Sequence, residues 1–191
     1  MSSALQKPMT LAEFLVWEER QELRFEFDGE HPVAMTGGTL RHDDITFNLR
    51  KALDARLGRG QCRPFGPNVK ILAAGKVRYP DAVVTCTPQQ GGGTIVERPV
   101  VVFEVLSAGT SRTDRIDKAR EYLAAESIQR YIILEQDSIA ATVLERQGGV
   151  WQTRIATGDD LLALPEIGIS VPLADCYEGV EIAPAPDDDG R

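Results

Sequence analysis

Apolar residues recur at helical spacing in some segments and form strand-like runs in others. This pattern predicts a chain that contains both α-helices and β-strands. Apolar residues at helical spacing predict a helix over residues 42–57, with Gly58 as its stop signal. A capping-box pattern that begins at Thr10 predicts a shorter helix to about residue 19. A third helix is predicted over residues 113–125.

Short apolar runs between turn residues predict strands, and the most apolar of them covers residues 100–106. This run is followed by the third helix and then by another apolar run, an order that predicts a crossover connection and parallel pairing in a buried sheet. We therefore predict a three-layer α/β or α+β fold with a central mixed sheet. Further strands are predicted at residues 23–27, 33–35, 63–65, 69–72, 79–85, 131–135, 139–146 and 150–155.

Composition narrows the class of protein. The 191 residues are 42% hydrophobic and 26% charged, which fits one globular domain over residues 1–182, with a disordered acidic tail at 183–191. With no apolar run of membrane-spanning length and no secretory signal pattern, we expect a cytoplasmic protein without membrane contact. Cys62, Cys86 and Cys176 are odd in number and widely spaced. They predict buried or free thiols rather than a disulfide framework or a zinc site.

Charge is distributed unevenly along the chain. The net charge is −8, yet residues 41–79 contain nine Lys and Arg but only three Asp and Glu. A basic face on an acidic protein would suit a phosphate-bearing partner such as nucleic acid. A solvated helix face accounts for the same charges equally well.

Glu104 is the residue that fits a buried core least, because apolar residues flank it on both sides. An ionised carboxylate in a central strand needs a cation, a basic partner or a proton. Asp81 begins another apolar strand, and two neighbouring carboxylates repel unless a hard cation such as Mg²⁺ lies between them. The alternatives are an edge position or a basic partner for Glu104, and a capping role for Asp81.

Other polar residues are candidates for the same site. Lys118 and Tyr122 share one face of the third helix, where Lys118 could orient a water or neutralise an oxyanion. A surface lysine and a core tyrosine are the alternatives. Glu26 alternates with two aromatic residues and is either a third site carboxylate or solvent-facing. His42 opens the basic helix as a cap, a surface residue or a phosphate contact.

Taken in chain order, these residues resemble the PD-(D/E)XK nuclease superfamily. The resemblance rests on Pro80-Asp81, on Glu104-Val105-Leu106-Ser107, and on a following helix that carries Asp114, Lys118 and Tyr122. More narrowly, the chain resembles the Uma-two family (DUF820) of restriction endonuclease-like proteins, from Thr10 to about Ile155. The resemblance implies a restriction endonuclease-like three-layer sandwich.

The resemblance also implies roles for individual residues. Asp81 and Glu104, with the carbonyl of Val105, would bind Mg²⁺ or Mn²⁺, and Glu26 would complete the acidic cluster. The lysine of the broad pattern would fall at Leu106, and in the narrower family Lys118 takes its place. The candidate catalytic residues are Asp81, Glu104, Lys118 and Glu26. The candidate substrate-binding residues are Arg41, His42, Ser107, Arg112 and Tyr122.

Three functions are compatible with the sequence. The first is a metal-dependent endonuclease that hydrolyses nucleic acid, with DNA as the expected substrate. A homodimer of such an enzyme would suit two cuts in a duplex. The second is a catalytically inactive nuclease-fold module that binds nucleic acid or protein. The third is a structural domain in which Glu104 and Lys118 form a buried ion pair.

Overall fold

A computed structural model describes residues 7–35, 37–106 and 112–182, without the side chains of residues 112–114. The described α-helices are α1 (Leu11–Glu18), α2 (Leu40–Leu57) and α3 (Arg112–Ala124), and short 3-10 helices cover Pro165–Ile167 and Leu173–Tyr177. The strands are β1 (Phe25–Phe27), β2 (Pro32–Ala34), β3 (Arg63–Phe65), β4 (Ile71–Ala73), β5 (Lys76–Arg78), β6 (Ala82–Thr85), β7 (Pro99–Leu106), β8 (Arg130–Glu135), β9 (Ala140–Gln147), β10 (Val150–Thr157), β11 (Leu161–Leu164) and β12 (Ile169–Pro172).

The main sheet contains six strands in the order β10-β9-β8-β7-β6-β3. Strands β7 and β8 are parallel and are joined through α3, whereas β6 and β7 are antiparallel. Strand β7 lies inside the sheet and is almost completely buried. The predicted crossover and the mixed sheet are therefore confirmed.

Alternation along β7 assigns its side chains to two different layers. Val101, Phe103 and Val105 pack into the core that contains the α2 residues Ile45 and Leu49. The even-numbered residues point to the opposite face, where Val102 and Leu106 pack with Tyr122 of α3. Helices thus cover both faces of the sheet, as predicted, and Glu104 lies on the α3 face because side chains alternate along a strand.

A second sheet, ordered β2-β1-β5-β4, packs against α1 through Phe14, Phe27 and Val77. The strand predicted over residues 79–85 is present as β6, but it begins only at Ala82, and β5 was not predicted. The chain forms a β4-β5 hairpin through the turn at Ala74 and Gly75, leaves the second sheet after Arg78, and enters the main sheet at Ala82. Strands of three residues are too short to show an alternating pattern.

The remaining boundaries differ by small amounts. The capping box at Thr10 is present, and α1 ends one residue before the expected position. Helix α2 begins two residues earlier than predicted because the Thr39 hydroxyl accepts a hydrogen bond of 3.1 Å from the His42 amide. The β11-β12 hairpin was not predicted.

The prediction of isolated thiols is wrong for two of the three cysteines. Cys62 and Cys86 form a disulfide, while Cys176 is a buried free thiol. Strands β3 and β6 pair with Arg63 opposite Thr85, so one further step in the register places the two cysteines opposite each other. Their separation of 24 residues reveals nothing of this contact, which depends on strand pairing.

Ion pairs offset much of the positive charge that the composition places in the basic segment. Six of its nine basic residues make ion pairs with carboxylates from other parts of the chain, and two of the six side chains, those of Lys70 and Arg78, are buried. These pairs are Arg41–Asp137, Lys51–Glu178, Arg56–Asp175, Lys70–Glu18, Lys76–Glu121 and Arg78–Glu26.

Within the described residues, no helix is long and apolar enough to cross a bilayer. The predicted acidic tail at 183–191 lies outside the described part of the chain.

The disulfide can be tested by counting thiols. Protein purified without reductant and then denatured should expose one titratable thiol, from Cys176, and should expose three after reduction. Titration with a chromogenic disulfide reagent measures both values. A Cys62→Ser variant is the control, because it should expose two thiols before and after reduction. Three thiols in the unreduced wild type would contradict the pairing.

Candidate active site

An open cleft of about 410 Å³ lies where the two sheets, the start of α2 and α3 meet. All of the predicted catalytic and metal-binding residues line it, although they come from four different elements or connections. Its polar lining consists of Glu26, Thr39, His42, Tyr79, Asp81, Glu104, Lys118 and Gln136, and its apolar lining includes Val33, Met35, Val105 and Leu106.

Asp81 lies directly before β6 and is fixed in place by both of its oxygens. Since Ala82 pairs with Phe103, one further step in the register places Asp81 opposite Glu104. The backbone N–H of Val105 donates a hydrogen bond of 2.7 Å to Asp81 Oδ2. The Nε2 atom of His42 lies 3.1 Å from Asp81 Oδ1. The main chain of β7 therefore sets the orientation of this carboxylate.

Glu104 is buried on β7, and its Oε1 atom has two partners from α3. The Tyr122 hydroxyl donates a hydrogen bond of 2.8 Å, and Lys118 Nζ lies 3.3 Å away. Burial raises the pKa of Glu104 to about 7, against the opposing charge of Lys118. The negative charges of Asp81 and Glu26 contribute to this rise. The site therefore places a carboxylate where the ionised form is unfavourable without an additional cation.

Glu26 extends from β1 toward the same cleft, so the solvent-facing interpretation of this residue is wrong. Its side chain is 14% exposed. Glu26 Oε1 accepts a hydrogen bond of 3.2 Å from the Tyr79 amide, and Oε2 accepts one of 3.1 Å from Arg78 Nη1. Lys118 Nζ lies 3.7 Å from Glu26 Oε1. Lys118 thus lies between two carboxylates, and the surface interpretation of this lysine is also wrong.

His42 lies in the first turn of α2 with its ring directed at Asp81. The hydrogen bond to Asp81 raises the pKa of His42, although partial burial opposes the rise. The negative charges of Asp81 and Glu104 also favour the protonated ring. Thr39, not His42, supplies the side-chain cap of the helix.

The other predicted substrate-binding residues lie in different surroundings. Tyr122 is fully buried, and its ring meets that of Tyr131 edge-on at a centroid distance of 4.8 Å. Any effect of Tyr122 on a substrate would therefore pass through Glu104. Arg41 lies near the start of α2 and pairs with Asp137 at 3.0 Å. Ser107 and the side chain of Arg112 lie outside the described residues.

Two residues that support the site were not predicted from the sequence. Arg78 bonds Glu26 and also makes a bidentate contact with Glu121 on α3, at 2.7 and 2.8 Å. Glu121 follows Lys118 by three residues, which places it on the neighbouring helix face. The three-residue spacing from Lys118 is the sequence feature that points to Glu121. Its contact with Arg78 could not be predicted, because that contact depends on the pairing of β5 in the second sheet.

The carboxylates of the cleft suit a cation that needs few ligands from the protein. In the described part of the chain, no group of three or more His, Cys, Asp or Glu side chains is arranged to hold a metal ion. Asp81 and Glu104 nevertheless line one cleft from paired strands. Magnesium is commonly bound by one or two carboxylates together with water and substrate phosphate oxygens. A divalent cation would also offset the repulsion that raises the pKa of Glu104.

The chain belongs to the Uma2 family, whose model is described as "putative restriction endonuclease" and matches residues 11–174. This family match confirms the resemblance inferred from the sequence.

Among curated proteins, two relatives come from Synechocystis sp. and are both named as uncharacterized. The chain is 31% identical to protein slr1290 over 88% of this chain and 90% of that protein. It is 27% identical to protein sll1609 over 71% of this chain and 80% of that protein.

Among solved structures, the chain is similar to a crystal structure from Anabaena variabilis titled as a "putative nuclease belonging to DUF820". The TM-score is 0.73, the sequence identity is 18%, and the match covers 90% of this chain and 98% of that one. At this identity the comparison confirms the fold, including the predicted three-layer architecture.

The shifted pKa of Glu104 predicts a pH-dependent stability difference. The folded protein takes up a proton below about pH 7, whereas the unfolded carboxyl does so near 4.5. The folded state therefore binds more protons between these values, and wild type loses stability as the pH rises through that window. Without metal, Glu104→Gln should gain about 3 kcal/mol relative to wild type between pH 4.5 and 7.

Urea unfolding in chelator at several pH values measures this difference. The matched control is Glu178→Gln, because Glu178 is exposed and its only pairing partner in the described chain is Lys51. Its difference from wild type should stay nearly constant. A Glu104→Gln difference that is flat, or that falls with rising pH, would contradict the assigned environment.

Proposed function

We propose that the protein is a divalent-metal-dependent nuclease that hydrolyses phosphodiester bonds in nucleic acid, with DNA as the expected substrate. The observation that carries this proposal is the convergence of Asp81, Glu104 and Lys118 on one cleft. Two carboxylates and a lysine are the groups needed to bind a metal beside a phosphate and to stabilise developing negative charge. Family membership supports the same class of reaction.

In the proposed mechanism, Asp81 and Glu104, together with the carbonyl of Val105, would hold Mg²⁺, or Mn²⁺ in its place. When bound, the cation supplies Lewis-acid polarisation and a more acidic water. The hydrogen bond from the Val105 amide keeps Asp81 oriented toward the cleft before any ligand arrives. The Tyr122 hydroxyl keeps Glu104 in one rotamer, which reduces the reorganisation that binding requires.

Lys118 is the residue proposed to act on the reacting groups. Its ammonium lies between Glu104 and Glu26, where it can orient a water or stabilise charge on a phosphate oxygen. Glu26 is proposed to hold Lys118 in this position. His42, which reaches the cleft beside Asp81, is proposed to contact phosphate through its ring, and the hydrogen bond to Asp81 that raises its pKa favours this contact.

The second candidate function is a structural domain in which Glu104 and Lys118 form a buried ion pair. Glu104 already has Tyr122 and Lys118 as partners without a metal, and this observation favours a structural use of the cluster. In that case Glu104→Gln should destabilise the protein by about 3–5 kcal/mol at neutral pH, because it leaves a buried lysine less compensated. The two candidates therefore predict opposite signs for one variant.

Metal binding can be tested without knowing the substrate. Calorimetric titration with Mn²⁺ up to millimolar concentration should give a binding heat in wild type that Asp81→Ala abolishes. Asp54→Ala, which removes an exposed carboxylate of α2, is the matched control and should bind as wild type does. Equal binding by all three proteins would place the metal elsewhere and contradict the proposed ligands.

Cleavage tests the role of Lys118. With Mg²⁺ or Mn²⁺, wild type should cleave at least one of supercoiled plasmid, linear duplex, single-stranded DNA and RNA. Lys118→Ala should lower the rate by about 100-fold or more, because it removes charge stabilisation at the phosphate, while Mn²⁺ affinity stays close to wild type. Lys51→Ala, an exposed lysine on α2, is the control. Full activity of Lys118→Ala would overturn the assignment.

A further inference from the structure

Helix α3 has polar attachments to both sheets, and those on either side of Lys118 include a bidentate contact of Arg115 with Glu135 in the main sheet. Lys118 and Tyr122 reach Glu104 in the main sheet. Glu121 points to the second sheet, where it accepts hydrogen bonds from Arg78 and from Lys76 at 2.9 Å. The position of Lys118 in the cleft therefore depends on how α3 is attached to both sheets.

Arg78 makes the more extensive of the two attachments to the second sheet. Its Nε and Nη2 atoms bond the two oxygens of Glu121, and its Nη1 atom bonds Glu26 Oε2 at 3.1 Å. The side chain is 8% exposed. A planar guanidinium can serve two carboxylates at fixed angles, whereas an ammonium is a point charge without such directionality.

Both carboxylates bound by Arg78 are related to Lys118. Glu121 lies one helical turn after Lys118, so it sets the depth and rotation of the helix at that point. Glu26 lies 3.7 Å from Lys118 Nζ and is held by Arg78 on its other oxygen. One guanidinium thus fixes both the backbone that carries Lys118 and a carboxylate that faces its ammonium.

We propose that Arg78 is a positioning residue that fixes Lys118 between Glu26 and Glu104 by bonding Glu26 and Glu121 at the same time. Lys76 shares Glu121 but has no contact with Glu26 in the described residues and is 30% exposed. It therefore provides a matched control, since Lys76→Gln removes one positively charged partner of Glu121 and leaves Glu26 untouched. The catalytic part of this proposal rests on the proposed nuclease function, whereas the placement of Lys118 does not.

Chemical labelling tests the placement without a substrate. Wild type, Arg78→Gln and Lys76→Gln are treated with limiting acetic anhydride, and acetylation of Lys118 is measured by mass spectrometry relative to the exposed Lys51. Arg78→Gln should label Lys118 several-fold faster than wild type, and Lys76→Gln should stay close to wild type. Amide hydrogen exchange should accelerate in residues 115–124 and stay unchanged in β9. Unchanged labelling and exchange in Arg78→Gln would overturn the proposal.

Two further variants keep the test decisive if Arg78→Gln fails to fold. Arg78→Lys retains the charge but cannot make both contacts of the guanidinium, so Lys118 labelling should rise to an intermediate value. Glu121→Gln should increase labelling by itself, because it weakens the same attachment from the helix side. Wild-type labelling in both folded variants would overturn the proposal.

Kinetics separates positioning from a general loss of structure. On a cleaved substrate, Arg78→Gln should lower kcat by about 100-fold with little change in KM, and Arg78→Lys should recover part of the loss. A rise in KM with unchanged kcat would overturn the proposal. If wild type cleaves none of the substrates, the proposed function fails, and the labelling result alone decides the placement of Lys118.

Discussion

The buried carboxylate of Glu104 is the constraint around which this region of the protein is organised. A charge on a strand covered on both faces is costly unless partners are supplied. Helix α3 supplies Tyr122 and Lys118, and the main-chain register places Asp81 opposite. The partners compensate only partly, because the pKa of Glu104 remains raised to about 7. That residual cost supports the proposed cation site over a saturated structural ion pair.

The topology explains why these residues meet. Parallel strands require a crossover, and the crossover between β7 and β8 places α3 over the face to which Glu104 points. The antiparallel neighbour β6 brings Asp81 to the same face from the opposite direction. The second sheet then adds Glu26 through alternation along β1, since the aromatic neighbours of Glu26 pack on the α1 side.

The sequence predicted the parts of this arrangement that depend on local pattern. The apolar alternation around Glu104, the helix with Lys118, and the crossover were readable because each follows from a short run of residues. The Arg78–Glu121 attachment and the Cys62–Cys86 disulfide could not be predicted from the sequence. Both depend on the pairing of strands that are three or four residues long. The charge count along the chain misled for the same reason: it ignored carboxylates that the fold brings in from distant segments.

The charge arrangement bears on how the proposed substrate would bind. Most of the basic residues that could have formed a phosphate-binding face are committed to ion pairs, whereas the cleft contains more carboxylates than cations. Affinity for a phosphodiester would then come largely from the cation bound in the cleft, with Lys118 and His42 beside it. Few basic side chains would displace counterions from the nucleic acid. Binding of the nucleic acid should therefore depend on the divalent metal more than on ionic strength. In this respect the acidic character of the chain and a nucleic-acid substrate are compatible.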